Sequence, residues 1–105
     1  MNFMGYPRTD SRAGVRNLVA VISTISCANH VVNKIAECTP NAIPITHDTG
    51  CLQFAQDRDL TYRTIHNLGL HPNAGAVLYV GLGCEQVDTK ALAASITTRP
   101  VKALL

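Results

Sequence analysis

Leu18-Val19-Ala20-Val21-Ile22-Ser23-Thr24-Ile25-Ser26-Cys27-Ala28-Asn29-His30-Val31-Val32-Asn33-Lys34-Ile35-Ala36 is the stretch that decides the fold. Its opening run, Leu18–Ile22, is all aliphatic, the pattern of a strand covered on both faces. From Ala28 the period changes. Ala28, Val31, Val32, Ile35 and Ala36 fall at i, i+3, i+4, i+7 and i+8, one stripe of an amphipathic helix. Ser26 is placed to cap that helix, and Pro40 and Asn41 to end it. A buried strand passing through a short turn into a helix is the first half of a βαβ unit.

Outward from there the alternation continues. Ala42–Thr46 reads as a second strand, and Pro44 within it points to a sheet edge. A second helix follows with Leu60, Ile65 and Leu68 as its core residues, Asp57 or Asp59 as its cap and Gly69 as its end. Ala76–Val80 is the third strand, Ala91–Ile96 a short third helix and Val101–Leu105 a fourth strand. The expected architecture is β-α-β-α-β-α-β, a Rossmann-like three-layer α/β domain over residues 18–105 with a parallel sheet of about four strands. Residues 1–17 are polar, rich in Arg and broken by Gly5, Pro7 and Gly14, so an extended arm is expected there. The chain stops within the last strand with no closing helix, and a piece of a larger protein is the expectation.

Composition narrows the function. The 105 residues are 47% hydrophobic and 15% charged, which describes a folded domain and excludes a disordered one. A net charge of +2, with basic residues unclustered and no aromatic platform between them, argues against nucleic acid. Neither a signal peptide nor a membrane span is visible, so a cytoplasmic, reducing location is the default. There, cysteines serve more often as ligands or nucleophiles than in disulfides; two bridges from four cysteines are the disfavoured alternative.

The thiols carry the chemistry. Cys27 follows the first strand by five residues, Cys51 the second by five and Cys84 the third by four. In a parallel sheet all three turns emerge at the carboxyl edge, where ligands bind in open α/β folds. The spacings of 24 and 33 residues are unlike the close pairs of structural zinc sites, and only a pre-formed sheet edge could gather them. Three thiolates leave one coordination position open on a tetrahedral metal or on one iron of a cluster, the mark of a catalytic centre. Soft thiolates select zinc, Cu(I) or iron–sulfur centres. Cys38, at the back end of the first helix, reads as packing. His47, beside Asp48 directly after the second strand, is a candidate ligand or general acid/base, and Glu85 a candidate base. His71, before Pro72-Asn73 at the amino edge, reads as part of a structural turn. Gly81-x-Gly83 is too short for a dinucleotide fingerprint.

The arm is the second constellation, with Arg8, Arg12 and Arg16 at spacing four and Asn17 after them. Guanidinium forks recognise carboxylates, so an anionic substrate is one reading. The other is that these arginines tie the arm to its own domain or to a neighbour.

Gly5-Tyr6-Pro7-Arg8 through Gly14-Val15-Arg16-Asn17, Ser26-Cys27-Ala28-Asn29, Thr46-His47-Asp48-Thr49-Gly50-Cys51, and His71-Pro72-Asn73 to Val80-Gly81-Leu82-Gly83-Cys84-Glu85 together resemble the central domain of the altronate/galactarate dehydratase family. The likeness runs from about Phe3 to the end, and a sulfolactate sulfo-lyase branch is similar. It implies an iron-dependent lyase that removes water from a sugar acid to give a 2-keto-3-deoxy acid. The implied partners are a small anionic sugar acid, the remaining domains of the same enzyme and a second copy in a homo-oligomer. Under it, Cys27, Cys51 and Cys84 would hold iron, as Fe2+ or a cluster. His47 or Glu85 would move protons, and Arg8, Arg12, Arg16 and Asn17 would hold the carboxylate. Two rivals stand beside it, a non-catalytic scaffold or oligomerisation module and a structural zinc domain with His47 as fourth ligand.

Overall fold

The computed structural model describes residues 4–10, 12–48, 55–83 and 88–105. Cys51, Cys84 and Glu85 lie outside the described residues. Two short strands, β1 (Tyr6–Pro7) and β2 (Ala13–Gly14), pair antiparallel as a hairpin. They are followed by β3 (Leu18–Ser23), a 3-10 turn over Ser26–Ala28, α1 (Asn29–Glu37), β4 (Ala42–Ile45), α2 (Ala55–Gly69), β5 (Ala74–Val80), α3 (Thr89–Ser95) and β6 (Val101–Leu104). The four longer strands form one parallel sheet in the order β4-β3-β5-β6. The chain steps outward from β3 to β4, then crosses back to β5 and on to β6. Right-handed crossovers therefore put α1 on one face and α2 with α3 on the other.

The two cores follow from strand alternation. Val21 and Val80 face α1 and pack with Ile25, Ala28 and Val32. Ala20, Ile22, Val77 and Tyr79 face the other way, against Ile65 of α2 and Leu92 and Ile96 around α3. Tyr79 is fully buried, and its hydroxyl donates to the carbonyl of Ile65 at 2.9 Å. Burial pushes that hydroxyl's pKa well above the usual tyrosine value. Gly69 closes α2 directly over it, and a Cβ there would collide with the tyrosine oxygen.

The expected order of strands and helices is the observed one, with local corrections. Pro44 does sit in an edge strand, since among the described residues β4 pairs only with β3. Ser26 does not cap the first helix. It opens a 3-10 turn, closed by Ala28 N–H donating to Ile25 O at 2.9 Å, and neither helical start has a side-chain cap. Asp57 and Asp59 fall inside α2 rather than before it. Leu60, expected in the core, is 55% exposed, because the face of α2 that meets the sheet is set by Ile65 and Leu68. The third helix begins earlier than expected because Asp88 caps it, accepting from Ala91 N–H at 3.0 Å. Cys38 is exposed at the end of α1 and is not a packing residue. No helix among the described residues is long and apolar enough to cross a membrane.

Among the described residues before β3 the expected extended arm is instead a hairpin tied to its own domain, the second of the two readings of its arginines. The β1–β2 hairpin folds onto the loops that enter β5 and β6, at the amino edge of the sheet. Arg8 Nε donates to Pro72 O at 2.7 Å, and Asn73 Oδ1 accepts from the N–H groups of Val15 and Arg16. Asp10 pairs with Arg99, a side chain only 2% exposed that also donates to the carbonyls of His71 and Ala74. Gly14 is needed here, since a Cβ would strike the Pro72 carbonyl.

Candidate functional site at the carboxyl edge

β3 and β4 deliver two of the expected groups to the carboxyl edge of the sheet. Ser23 ends β3, and the chain turns through Thr24 and Ile25 into the 3-10 turn that carries Cys27. The Cys27 side chain is exposed, and so accessible to a metal or a substrate. His47 lies just beyond Ile45, the last residue of β4.

Three hydrogen bonds close a ring around this turn. The Ser23 hydroxyl donates to Asn29 Oδ1 at 2.7 Å. Asn29 Nδ2 donates to the main-chain carbonyl of His47 at 2.8 Å. His47 Nε2 lies 2.8 Å from the carbonyl of Ser23. Cys27 sits on the turn between Ser23 and Asn29, the two residues that hold the histidine, so the turn that carries the thiol and the imidazole share one network. A second set of buried hydroxyls supports it. Thr24 Oγ1 is 2.9 Å from Thr89 Oγ1 and 3.2 Å from Val80 O, tying the turn to β5 and to the start of α3. Alongside, between the end of β4 and α2, a groove of about 250 Å³ is lined by Ile45, His47, Thr61 and Ile65 among others.

The arm residues are elsewhere. Arg8 NH1 donates to Asn17 Oδ1 at 3.1 Å and NH2 to Arg16 O at 3.0 Å, while its guanidinium lies 5.8 Å over the Tyr6 ring. Arg12 donates to Leu70 O and pairs with Asp10 at 2.8 Å. Its hydrogen bond is the main reason the Asp10 carboxyl is held below the usual aspartate range. The Arg16 guanidinium is exposed and donates to its neighbour Val15 O at 3.2 Å. All of this is at the amino edge, separated from Cys27 and His47 by the length of the strands, roughly 20 Å for six residues. The structure thus puts the Cys27 turn and His47 at one edge of the sheet, and the four arm residues at the other. His71 has its expected place in a turn, where Nδ1 accepts from Asn73 N–H at 3.1 Å.

Among the described residues no group of three or more His, Cys, Asp or Glu side chains could hold a metal ion. Of the expected thiolate set, Cys27 alone is described, and its exposed place at the carboxyl edge suits a soft metal ligand. Sequence reasoning gave no separate role to Ser23 and Asn29 at this edge, or to Asp10, Asn73 and Arg99 at the other. Single polar residues at strand and helix ends have no period. Asn29 was visible only as the end of the Ser26-Cys27-Ala28-Asn29 motif.

What the fold and this edge define is a class: a parallel α/β domain whose thiol- and imidazole-bearing loops gather at the carboxyl ends of its strands. The chain belongs to the D-galactarate dehydratase/altronate hydrolase family, whose second-domain model matches residues 5–105. It is 36% identical over 93 residues to an altronate dehydratase of Bacillus subtilis (strain 168), covering 79% of this chain and 19% of that protein. It is 37% identical over 90 residues to an altronate dehydratase of Escherichia coli (strain K12), covering 76% and 18%. A (2R)-sulfolactate sulfo-lyase subunit beta of Chromohalobacter salexigens is 35% identical over 80 residues, covering 76% and 21%. The chain thus spans about a fifth of the length of these curated relatives. No solved structure matches it.

Proposed function

We propose that this domain supplies one wall of the active site of an iron-dependent sugar-acid dehydratase. That enzyme would eliminate water from an aldonate or aldarate such as altronate or galactarate to give a 2-keto-3-deoxy acid. The reading rests on family membership, and the observation that carries it to this edge is the network that fixes His47 against the Cys27 turn.

Elimination beside a carboxylate needs a base for the carbon-bound proton, help for the departing hydroxyl and fixed positive charge for the carboxylate. His47 is the proton carrier in this proposal. Its ring is anchored at one nitrogen to a buried main-chain carbonyl, so the other is held in a set direction. Glu85, outside the described residues, is the second candidate for proton transfer. Cys27, with Cys51 and Cys84, would hold iron, whose Lewis acidity would assist loss of the hydroxyl. Arg8, Arg12 and Asn17 are engaged within the hairpin. Arg16 is therefore the arm residue best placed for a carboxylate, one lying at the amino edge and not beside His47 of the same chain. The sulfo-lyase relative supports a second reading, in which the same edge serves cleavage of a carbon–sulfur bond.

The test uses the full-length enzyme that carries this domain, purified without oxygen and loaded with iron. Altronate, galactarate and sulfolactate are offered in turn, and the 2-keto product or released sulfite is measured. Turnover of a sugar acid, falling about 100-fold or more in His47→Ala, supports the reading. Turnover of sulfolactate alone favours the second, and full activity in both His47→Ala and Cys27→Ser overturns the site.

A further inference from the structure

A carbonyl oxygen can only accept a hydrogen bond. The 2.8 Å contact between His47 Nε2 and Ser23 O therefore requires the hydrogen to be on Nε2. In the neutral imidazole the basic lone pair then belongs to Nδ1. The Ser23 side chain is fully buried and its carbonyl ends a central strand of the sheet, so the acceptor cannot turn away. The loop bearing His47 is held as firmly. Asn29 donates to the His47 carbonyl, and the amide of Asn29 is oriented by the Ser23 hydroxyl, which donates to Oδ1 and so turns Nδ2 toward His47.

Ser23 thus acts twice, through its carbonyl on the ring and through its hydroxyl on the amide that fixes the ring's backbone. We infer that Ser23 and Asn29 are positioning residues, which hold His47 as the Nε2–H tautomer and make Nδ1 the nitrogen that exchanges protons at this edge. The inference deepens the dehydratase reading, from which it takes the role of His47, but the tautomer itself is independent of any turnover. Histidines that do chemistry are commonly held in this way, one ring N–H given to a carbonyl or carboxylate and the other nitrogen presented to the reaction. Neither Ser23 nor Asn29 touches substrate in this account.

The test is long-range 1H–15N NMR of the 105-residue chain labelled at histidine. Wild type is expected to show His47 with an unprotonated Nδ1, and an Nε2–H proton slow enough in solvent exchange to be observed. Ser23→Ala keeps the main-chain carbonyl but releases the amide. Asn29→Asp removes the donor to His47 O while leaving an acceptor for the serine hydroxyl. Both are expected to lose the protected Nε2–H signal with the remaining spectrum still dispersed. An Nδ1–H tautomer in wild type overturns the inference without any variant, as does a protected signal that survives both substitutions. In the full-length enzyme the same two variants should lower kcat about 10-fold or more with KM little changed, the size of effect that outer-shell partners typically have. A retained NMR signature in an enzyme inactive on every sugar acid would sink the dehydratase reading and leave the inference standing.

Discussion

At the scale of the residue, Asp10 concentrates more of the fold than its place in a short hairpin suggests. Its carboxylate joins Arg12, 48% exposed, to Arg99, which is buried. The hydrogen bond from Arg12 comes first among the causes that depress its pKa, with the Arg12 and Arg99 charges adding to it and burial opposing. A depressed folded-state pKa means that stability is fully present above the unfolded value, about 3.9, and drains away as the pH falls through the folded one. The chain is therefore expected to lose stability on acidification below about pH 4. Asp10→Asn should remove that part of the slope while being less stable at neutral pH. Urea midpoints measured from pH 7 down to pH 3 check this; parallel curves for the two proteins would rule it out. The arginines of the hairpin were legible as carboxylate-binding types. That the carboxylate is the hairpin's own was not, because nothing local marks Arg99 as buried beside Asp10.

At the scale of the element, the alternation of strand and helix was readable because each aliphatic run is local and unbroken. Pro44 even marked which strand would lie at an edge. Where the reading slipped, the local signal was thin. In the mostly polar α2, three leucine and isoleucine positions define a face only weakly, and Leu60 faces outward. Gly69 was seen as a terminator, but its second duty was invisible, since the Tyr79 hydroxyl that occupies its missing Cβ comes from β5. Gly69→Ala should therefore cost about 1–3 kcal/mol, the usual penalty for overpacking, although alanine is the better helix former. Tyr79→Phe in the same background should recover part of it by clearing the oxygen. A thermal scan of the wild type and the two variants decides the matter, and an unchanged or raised melting point for Gly69→Ala would refute it.

At the scale of the molecule, the sheet separates two jobs. Topology alone indicated that Cys27 and His47 share an edge, and the structure places them there. The hairpin's place at the opposite edge depends on contacts across nearly the whole chain, which no window of sequence contains. The separation predicts that damage at one end leaves the other intact. Arg99→Ala removes the guanidinium that donates to the buried Ala74 carbonyl and pairs with Asp10, and should lower stability by roughly 1–3 kcal/mol. Under the proposed iron site, metal bound per folded molecule of the full-length enzyme should not change. Cys27→Ser, on an exposed turn, should leave stability within about 0.5 kcal/mol and lower the iron content. Unfolding curves and metal analysis on both variants test this, and a joint loss in either one would show that the two edges are coupled.

The bond between Asp10 and Arg99 also sets an order in time. Its partners are 89 residues apart, so on a ribosome adding about 5–20 residues per second the hairpin emerges roughly 4–18 s before its anchor exists. During that interval the acidic side chain and the surface it will cover stay open to solvent and to chaperones. Within this domain an early segment is among the last to be fastened, and its closure reports that β5 and the approach to β6 have arrived.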